Sequence, residues 1–259
     1  MLFVGSALKG YAIEASDGRI GTVSDLLFDD RTWKMRWVVV DTGGWLTGRK
    51  VLVHPSAIRH VDHERQELPV SLTKAQVKNS PDILSDEPVS QRMEANLYDY
   101  YGCDPLWGGQ YLGAGAMTGI LMSPSLDRPL HEAGDFRLHS DFKRQADEGD
   151  THLRSIAAVK GYHIHATDGE IGHVENFLVD DASWDIRYLI VDTRNWWPGQ
   201  HVLISPYAVQ KISWSEHEVW LDVSRDQVKA SPPWDPLAII DQLYEKRLHS
   251  HYSWPGYGW

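Results

Sequence analysis

The chain has 259 residues, 42% hydrophobic and 24% charged, ordinary globular usage for one large domain or two small ones; a disordered chain and a minimal disulfide scaffold are excluded. Lys and Arg total 25 against 36 Asp and Glu, a formal net charge of −11, so the chain has no general attraction for phosphate backbones or anionic lipid. The only cysteine is Cys103, which excludes an internal disulfide framework and a zinc site of several thiolates. Met1–Gly5 lacks the basic and long apolar regions of a signal peptide. The longest mostly apolar stretch, Tyr111 to Met122, falls short of the roughly 20 residues that span a bilayer. A cytoplasmic location is expected.

Tyr11 to Ala15 reads as a short strand, and Asp17-Gly18 as a hairpin turn, because this dipeptide tolerates positive φ. Ile20 to Phe28 alternates in the manner of a strand, and Asp29 to Thr32 is a second turn. Met35 to Val40 is a nearly continuous apolar run, as a strand covered on both faces shows. Lys50–Val53, Ala57–Val61 and Leu68–Leu72 complete a set of six short strands, the pattern of a small closed or half-closed antiparallel barrel. Thr73 and Gln76 then have the spacing of a capping box, with a one-turn helix ending at Ser80-Pro81. Met93, Leu97 and Tyr101 lie four apart and predict a helix. Gly102 to Gly119 reads as an irregular linker and Gly134 to Thr151 as a polar, exposed one. Near the end, Asp235-Pro236 offers an N-cap and N1 proline for a helix carrying Ile240, Tyr244 and Leu248.

The same pattern occurs twice. With an offset of 151, positions 8–81 align with 159–232 without a gap, and about 30 of the 74 pairs are identical, which implies one shared fold. Lys9-Gly10-Tyr11 returns as Lys160-Gly161-Tyr162, Asp17-Gly18 as Asp168-Gly169, and Val40-Asp41-Thr42 as Val191-Asp192-Thr193. Trp33 returns as Trp184, Trp45 as Trp196, and the capping residues Thr73 and Gln76 as Ser224 and Gln227.

The run from Lys9 to Val61 contains Asp-Gly, Ile-Gly-x-Val, Asp-Asp, a Val-rich strand, Gly-Gly-Trp-Leu and Val-Leu-Val-x-Pro. It resembles the PRC-barrel family, and the second copy, with Thr-Asp-Gly-Glu-Ile-Gly-His-Val and Asp-Thr-Arg-Asn-Trp-Trp-Pro-Gly, resembles it further. The family includes the cytoplasmic domain of the photosynthetic reaction-centre H subunit and the C-terminal domain of a ribosome maturation factor. The resemblance implies a docking barrel with no shared catalytic motif. The chain lacks the membrane helix of the first relative and the RNA-associated companion domain of the second.

The candidate partner-binding residues are Trp45 and Leu46 in one loop and Trp196 and Trp197 in the matching loop. A large aromatic on a loop held by a barrel either anchors a partner or closes its own barrel. His163, His165 and His173 lie on neighbouring strands, where three imidazoles suit zinc. Their counterparts Ala12, Glu14 and Thr22 provide no shared site, and no metal is assigned. Asp41 and Asp192 are taken to pair with Arg36 and Arg187. No Gly-x-Ser-x-Gly elbow, P-loop, dinucleotide fingerprint or His-Glu-x-x-His is present, and Cys103 has no evident base.

The expected architecture is mainly β with short helices: two small antiparallel PRC-like barrels in tandem, packed about a pseudo-two-fold axis. The boundaries are 1–81 for the first barrel, 82–158 for a helix and linker, 159–232 for the second barrel, and 233–259 for a helix and aromatic tail. The expected function is a non-catalytic cytoplasmic adaptor that binds another protein through barrel loops, with no cofactor, no direct nucleic acid and no integral membrane segment. Homo-oligomerisation stays open. The resemblance offers two alternatives, an accessory factor in photosynthetic electron transfer and a ribosome-associated factor.

Overall fold

The computed structural model describes residues 1–81, 91–103, 152–193, 201–236 and 240–257. Among these residues, thirteen strands form two sheets. The first contains β2 (Ala12–Ala15), β3 (Gly18–Asp29), β4 (Lys34–Asp41), β5 (Lys50–Val53) and β6 (Glu67–Pro69) in the order β5-β4-β3-β2-β6. The second contains β8 (His163–Ala166), β9 (Gly169–Asp180), β10 (Ile186–Asp192), β11 (His201–Ile204), β12 (Val209–Ser213) and β13 (Glu218–Leu221) in the order β11-β10-β9-β8-β13-β12. Two further strands, β1 (Leu2–Val4) and β7 (Leu153–Ser155), join these sheets from the side.

The fold is mainly β with few short helices, but the sheets are not wholly antiparallel. β2 pairs with β6 in parallel, and β8 with β13. The expectation of a purely antiparallel barrel is corrected by the path of the chain. It leaves β5 through the 3-10 turn Pro55–Ala57 and returns to lie beside β2 running the same way. Each ladder described is an open path. Residues 57–61, read as a strand, make only an isolated bridge from Ile58 to Val70, whereas the matched stretch is the full strand β12.

β4 is buried along nearly its whole length because its two faces serve different cores. Val38 and Val40 point into the main core shared by both sheets. Trp37 and Val39 point the other way, into a second cluster with Leu52, Leu153, Leu97 and Tyr98. The last two belong to α2 (Gln91–Tyr101), which covers this face. Of the earlier one-turn helix α1 (Lys74–Lys78), the Thr73 hydroxyl accepts from the Gln76 amide at 3.2 Å while the Gln76 side chain accepts from the Thr73 amide at 2.9 Å.

The second sheet has α3 (Ile156–Val159) before it, α4 (Arg225–Lys229) with the same reciprocal cap from Ser224 and Gln227, and α5 (Gln242–Tyr252) over its outer face. α5 begins later than the sequence suggests. Its N-cap is Asp241, whose carboxylate accepts from the Tyr244 amide at 2.7 Å, and Asp235 stands six residues upstream of that cap.

The strands that sequence reading missed tie the two sheets together. β1 pairs with β9, Leu2 opposite Asp180 and Val4 opposite Leu178. β7 pairs with β3, Leu153 opposite Asp29 and Ser155 opposite Leu27. These registers are the same under the offset of 151, so each N-terminal strand completes the sheet of the other half. Three-residue strands carry too little periodicity to be read from sequence. Between the sheets, the Met35 amide donates to the Trp184 carbonyl at 2.8 Å and the Ile186 amide to the Trp33 carbonyl at 2.7 Å. Both tryptophans adopt a left-handed backbone, φ 55° and 60°, uncommon for bulky residues and enforced here by the paired turns. Buried Lys34 meets Asp185 at 2.9 Å at the same crossing.

Candidate functional site

Asp17 and Asp168 do more than make turns. Asp17 accepts from the Lys74 amide at 2.7 Å, and Asp168 from the Arg225 amide at 2.8 Å, so each Asp-Gly corner caps the following short helix. Gly18 and Gly169 hold φ of +124° and +141°, a region that favours glycine.

The expected pairing of Asp41 with Arg36 and of Asp192 with Arg187 is not what forms. Arg36 lies 3.5 Å from Asp29, and Arg187 lies 2.9 Å from Asp180. Residues 36 and 41 are an odd number apart on one strand and face opposite sides of the sheet, whereas the turn aspartates lie across from the arginines. For Asp180, burial raises the carboxyl pKa, but Arg187 and the Ala182 and Ser183 amides outweigh it and hold it low. Asp41 instead accepts from the Gly43 amide at 2.8 Å, shaping the loop that carries Trp45 and Leu46.

In that loop the 3-10 turn Gly43–Leu46 presents Trp45 half-buried against its own core. The Lys74 ammonium sits 4.9 Å from its ring centroid. Leu46 is half-buried. Trp196 and Trp197 lie outside the described residues.

The histidines are distributed along a cross-strand row and do not converge. His163 is opposite His173, His173 opposite Asp192, and Asp192 opposite His201. Each ring takes a carboxylate of its own. His163 pairs with Glu170 at 2.8 Å, His165 with Glu218 at 3.4 Å, His173 with Asp192 at 3.6 Å and His201 with Glu175 at 2.7 Å. Among the described residues no three His, Cys, Asp or Glu side chains are placed to hold a metal ion.

Under each outer helix lies a buried polar junction that sequence reading also missed. Trp37 Nε1 donates to Glu94 Oε1 at 3.1 Å and the Tyr98 hydroxyl donates to the same oxygen at 2.9 Å. Burial pushes the Glu94 carboxyl above its ordinary range, against the opposing pull of Arg36 and of the Tyr98 and Trp37 hydrogen bonds. His54, buried beside them, is held at about 3 by burial and then by the Arg36 and Lys34 charges. In the second half the Tyr188 hydroxyl donates to Glu245 at 2.9 Å and lies 2.9 Å from His249 Nε2. Gln91, Glu94, Leu97 and Tyr101 stand 151 residues before Gln242, Glu245, Leu248 and Tyr252. That correspondence, across the ungapped continuation of the alignment, was the available signal. Cys103 accepts from the Ser56 hydroxyl at 3.6 Å, and burial raises its thiol pKa, an environment that suppresses the nucleophilic thiolate.

Two grooves flank the crossing of the sheets, each walled by both halves. One, of about 360 Å³, runs between the turn of Arg31, Thr32 and Trp33 and the corner carrying Pro206 and Tyr207, with Tyr257 at its side. Tyr207 and Tyr257 stack at 5.5 Å, and the Arg187 guanidinium lies 4.1 Å from the Tyr257 centroid. The other, of about 210 Å³, lies between the turn of Asp181 and Trp184 and the corner of Pro55 and Ser56, with Arg59 and His60 at its rim. The Tyr207 ring is thus replaced by a serine hydroxyl, so the first groove is aromatic and the second polar. Trp33 marked the repeat in the sequence, but Tyr207 stands opposite Ser56 and so carried no repeat signal.

Residues 3–77 match the family model described as PRC-barrel domain. A 90-residue stretch is 37% identical to an uncharacterized protein of Deinococcus radiodurans, covering 35% of this chain and 31% of that protein. The chain therefore matches about a third of the length of that relative. The matched region opens inside β1 and runs through β2–β6 into α1, the strands and capped helix described above. Residues 3–77 of this chain are a PRC-barrel domain.

Proposed function

We propose that the chain is a non-catalytic cytoplasmic adaptor built from two PRC-like barrels in tandem, related by a pseudo-two-fold axis, and that the aromatic groove between them receives a segment of a protein partner. The observation that carries this reading is the groove itself. Trp33, Tyr207 and Tyr257 present three rings in one concavity of about 360 Å³, with exposed Arg31 at its rim. Rigid aromatics bury area at low entropic cost, and Arg with aromatic residues is the composition of binding hot spots. Because the walls come from both halves, the two barrels act together as one receptor surface. The tandem reading is supported by the reciprocal pairing of β1 and β7.

The test is quantitative affinity purification after mild cross-linking in the native host. Wild type is compared with Tyr207→Ala and Arg31→Glu groove variants and with a Trp45→Ala, Trp196→Ala, Trp197→Ala loop variant, each first shown to melt as wild type does. Loss of one specific partner in the groove variants supports the assignment. Loss only in the loop variant moves the site to the loops, and recovery of no specific partner by wild type removes the adaptor reading.

A further inference from the structure

Lys-Gly-Tyr, repeated identically in the two copies, is not used by the aromatic groove. In each copy its glycine is left-handed, φ +89° at Gly10 and +92° at Gly161. Its amide is anchored to the long strand, Gly10 to the Val23 carbonyl at 2.8 Å and Gly161 to the Val174 carbonyl at 2.7 Å. The backbone of the preceding lysine is therefore fixed in both halves. Lys9 and Lys160 both line a cleft of about 220 Å³ formed where the two halves meet, with Leu26 and Ile156 in its apolar lining and Asp25 and Asn176 in its walls. Residues 9 and 160, and likewise 25 and 176, are related by the offset of 151, so the cleft straddles the pseudo-two-fold axis. Among the described residues neither lysine forms an ion pair, and both are exposed.

The polar wall breaks the symmetry in charge. Asp25 is engaged on both oxygens, accepting from the Leu26 amide at 2.8 Å and from the Ser155 hydroxyl. At the matched position the neutral Asn176 donates to the Ser6 hydroxyl at 2.6 Å and accepts from the Phe177 amide at 3.0 Å. Two lysines face one carboxylate, leaving a net positive charge in an otherwise acidic chain. We propose that this axial cleft binds a small carboxylic acid, its carboxylate between Lys9 and Lys160 and its short apolar stem against Leu26 and Ile156. This site is separate from the aromatic groove and does not depend on the adaptor reading.

The experiment is calorimetric titration of the full chain with butyrate, with inorganic phosphate and chloride as probes lacking the stem, at constant ionic strength. Butyrate binds one site per chain, and more tightly than phosphate or chloride. The Lys9→Met, Lys160→Met double variant loses about tenfold or more in affinity. Asn176→Asp, which places a second carboxylate where the first half already carries one, weakens binding several-fold. As a readout on wild type that needs no variant, butyrate slows chemical acetylation of Lys9 and Lys160, and of no other lysine, as read by mass spectrometry. Butyrate binding no tighter than chloride or phosphate, binding unchanged in the double variant, or unprotected lysines would each overturn the proposal.

Discussion

Glu94 gives the sharpest quantitative test of how the outer helix is held. Replacing it with alanine leaves Trp37 Nε1 and the Tyr98 hydroxyl, on side chains 0% and 1% exposed, without the oxygen both donate to. Each orphaned buried donor costs about 1–3 kcal/mol, so Glu94→Ala should destabilise by about 2–6 kcal/mol in urea unfolding. Glu94→Gln keeps an acceptor oxygen and should cost far less. The two also differ in pH response. Because burial raises the folded carboxyl above its unfolded value, the protonated group favours the folded state. That contribution is fully present below the unfolded pKa and is lost as pH rises through the folded one. Measured at about pH 5 and about pH 8, wild type should lose stability relative to Glu94→Gln as pH rises. A Glu94→Ala cost below about 0.5 kcal/mol, or a difference between wild type and Glu94→Gln that does not move with pH, would refute the reasoning.

Other consequences follow from the same geometry. His54 is 1% exposed and its imidazole is held down at about 3 by burial, so its neutral form contributes on the order of 5 kcal/mol above the unfolded pKa of about 6.5. That contribution is lost as pH falls from there toward the folded value, and a His54→Ser variant, carrying the residue found at 205, should show a shallower acid limb in denaturation. At Gly21 and Gly172 an added Cβ would lie 2.1 Å and 1.9 Å from the Asp41 and Asp192 carbonyl oxygens. Alanine at either should therefore destabilise by about 3 kcal/mol or more by thermal unfolding, while alanine at Gly44, which meets nothing within 4 Å, should be nearly neutral. Thr73→Ala and Ser224→Ala should each cost about 1 kcal/mol, read by urea unfolding.

Much of the fold was legible because it rests on short-range signals. Asp-Gly turns, a β4 covered on both faces and Thr73-x-x-Gln76 each state their local structure. What escaped depends on partners distant in the chain. β1 and β7 are three residues each and are strands only because the other half supplies β9 and β3. Arg36 and Arg187 pair with turn aspartates because strand faces alternate, a constraint that the parity of residues 36 and 41 already carries. Of the candidate partner-binding residues, Trp45 stood out by size and repetition yet packs half-buried beneath Lys74. The groove brings Arg31, Tyr207 and Tyr257 together from segments far apart, and no local pattern announces that meeting. The paired lysines were visible as a motif, but their common cleft exists only once the halves are joined.

The joining of the halves is the claim on which the groove and the cleft both depend, and native-state hydrogen exchange tests it most directly. Beyond the β1–β9 and β7–β3 ladders, backbone amides that bridge the halves include Asp30 to the His152 carbonyl and Asp181 to the Met1 carbonyl, both at 2.9 Å, Met35 to Trp184 at 2.8 Å and Ile186 to Trp33 at 2.7 Å. Reciprocal pairing predicts that the Met35 and Ile186 amides, at the centre of the crossing, exchange only through the opening that also releases the buried amides of β4 and β10, with matched protection in the two halves. Rapid exchange of these two amides while the strands of each sheet stay protected would show that the halves fold apart, and would contradict the account.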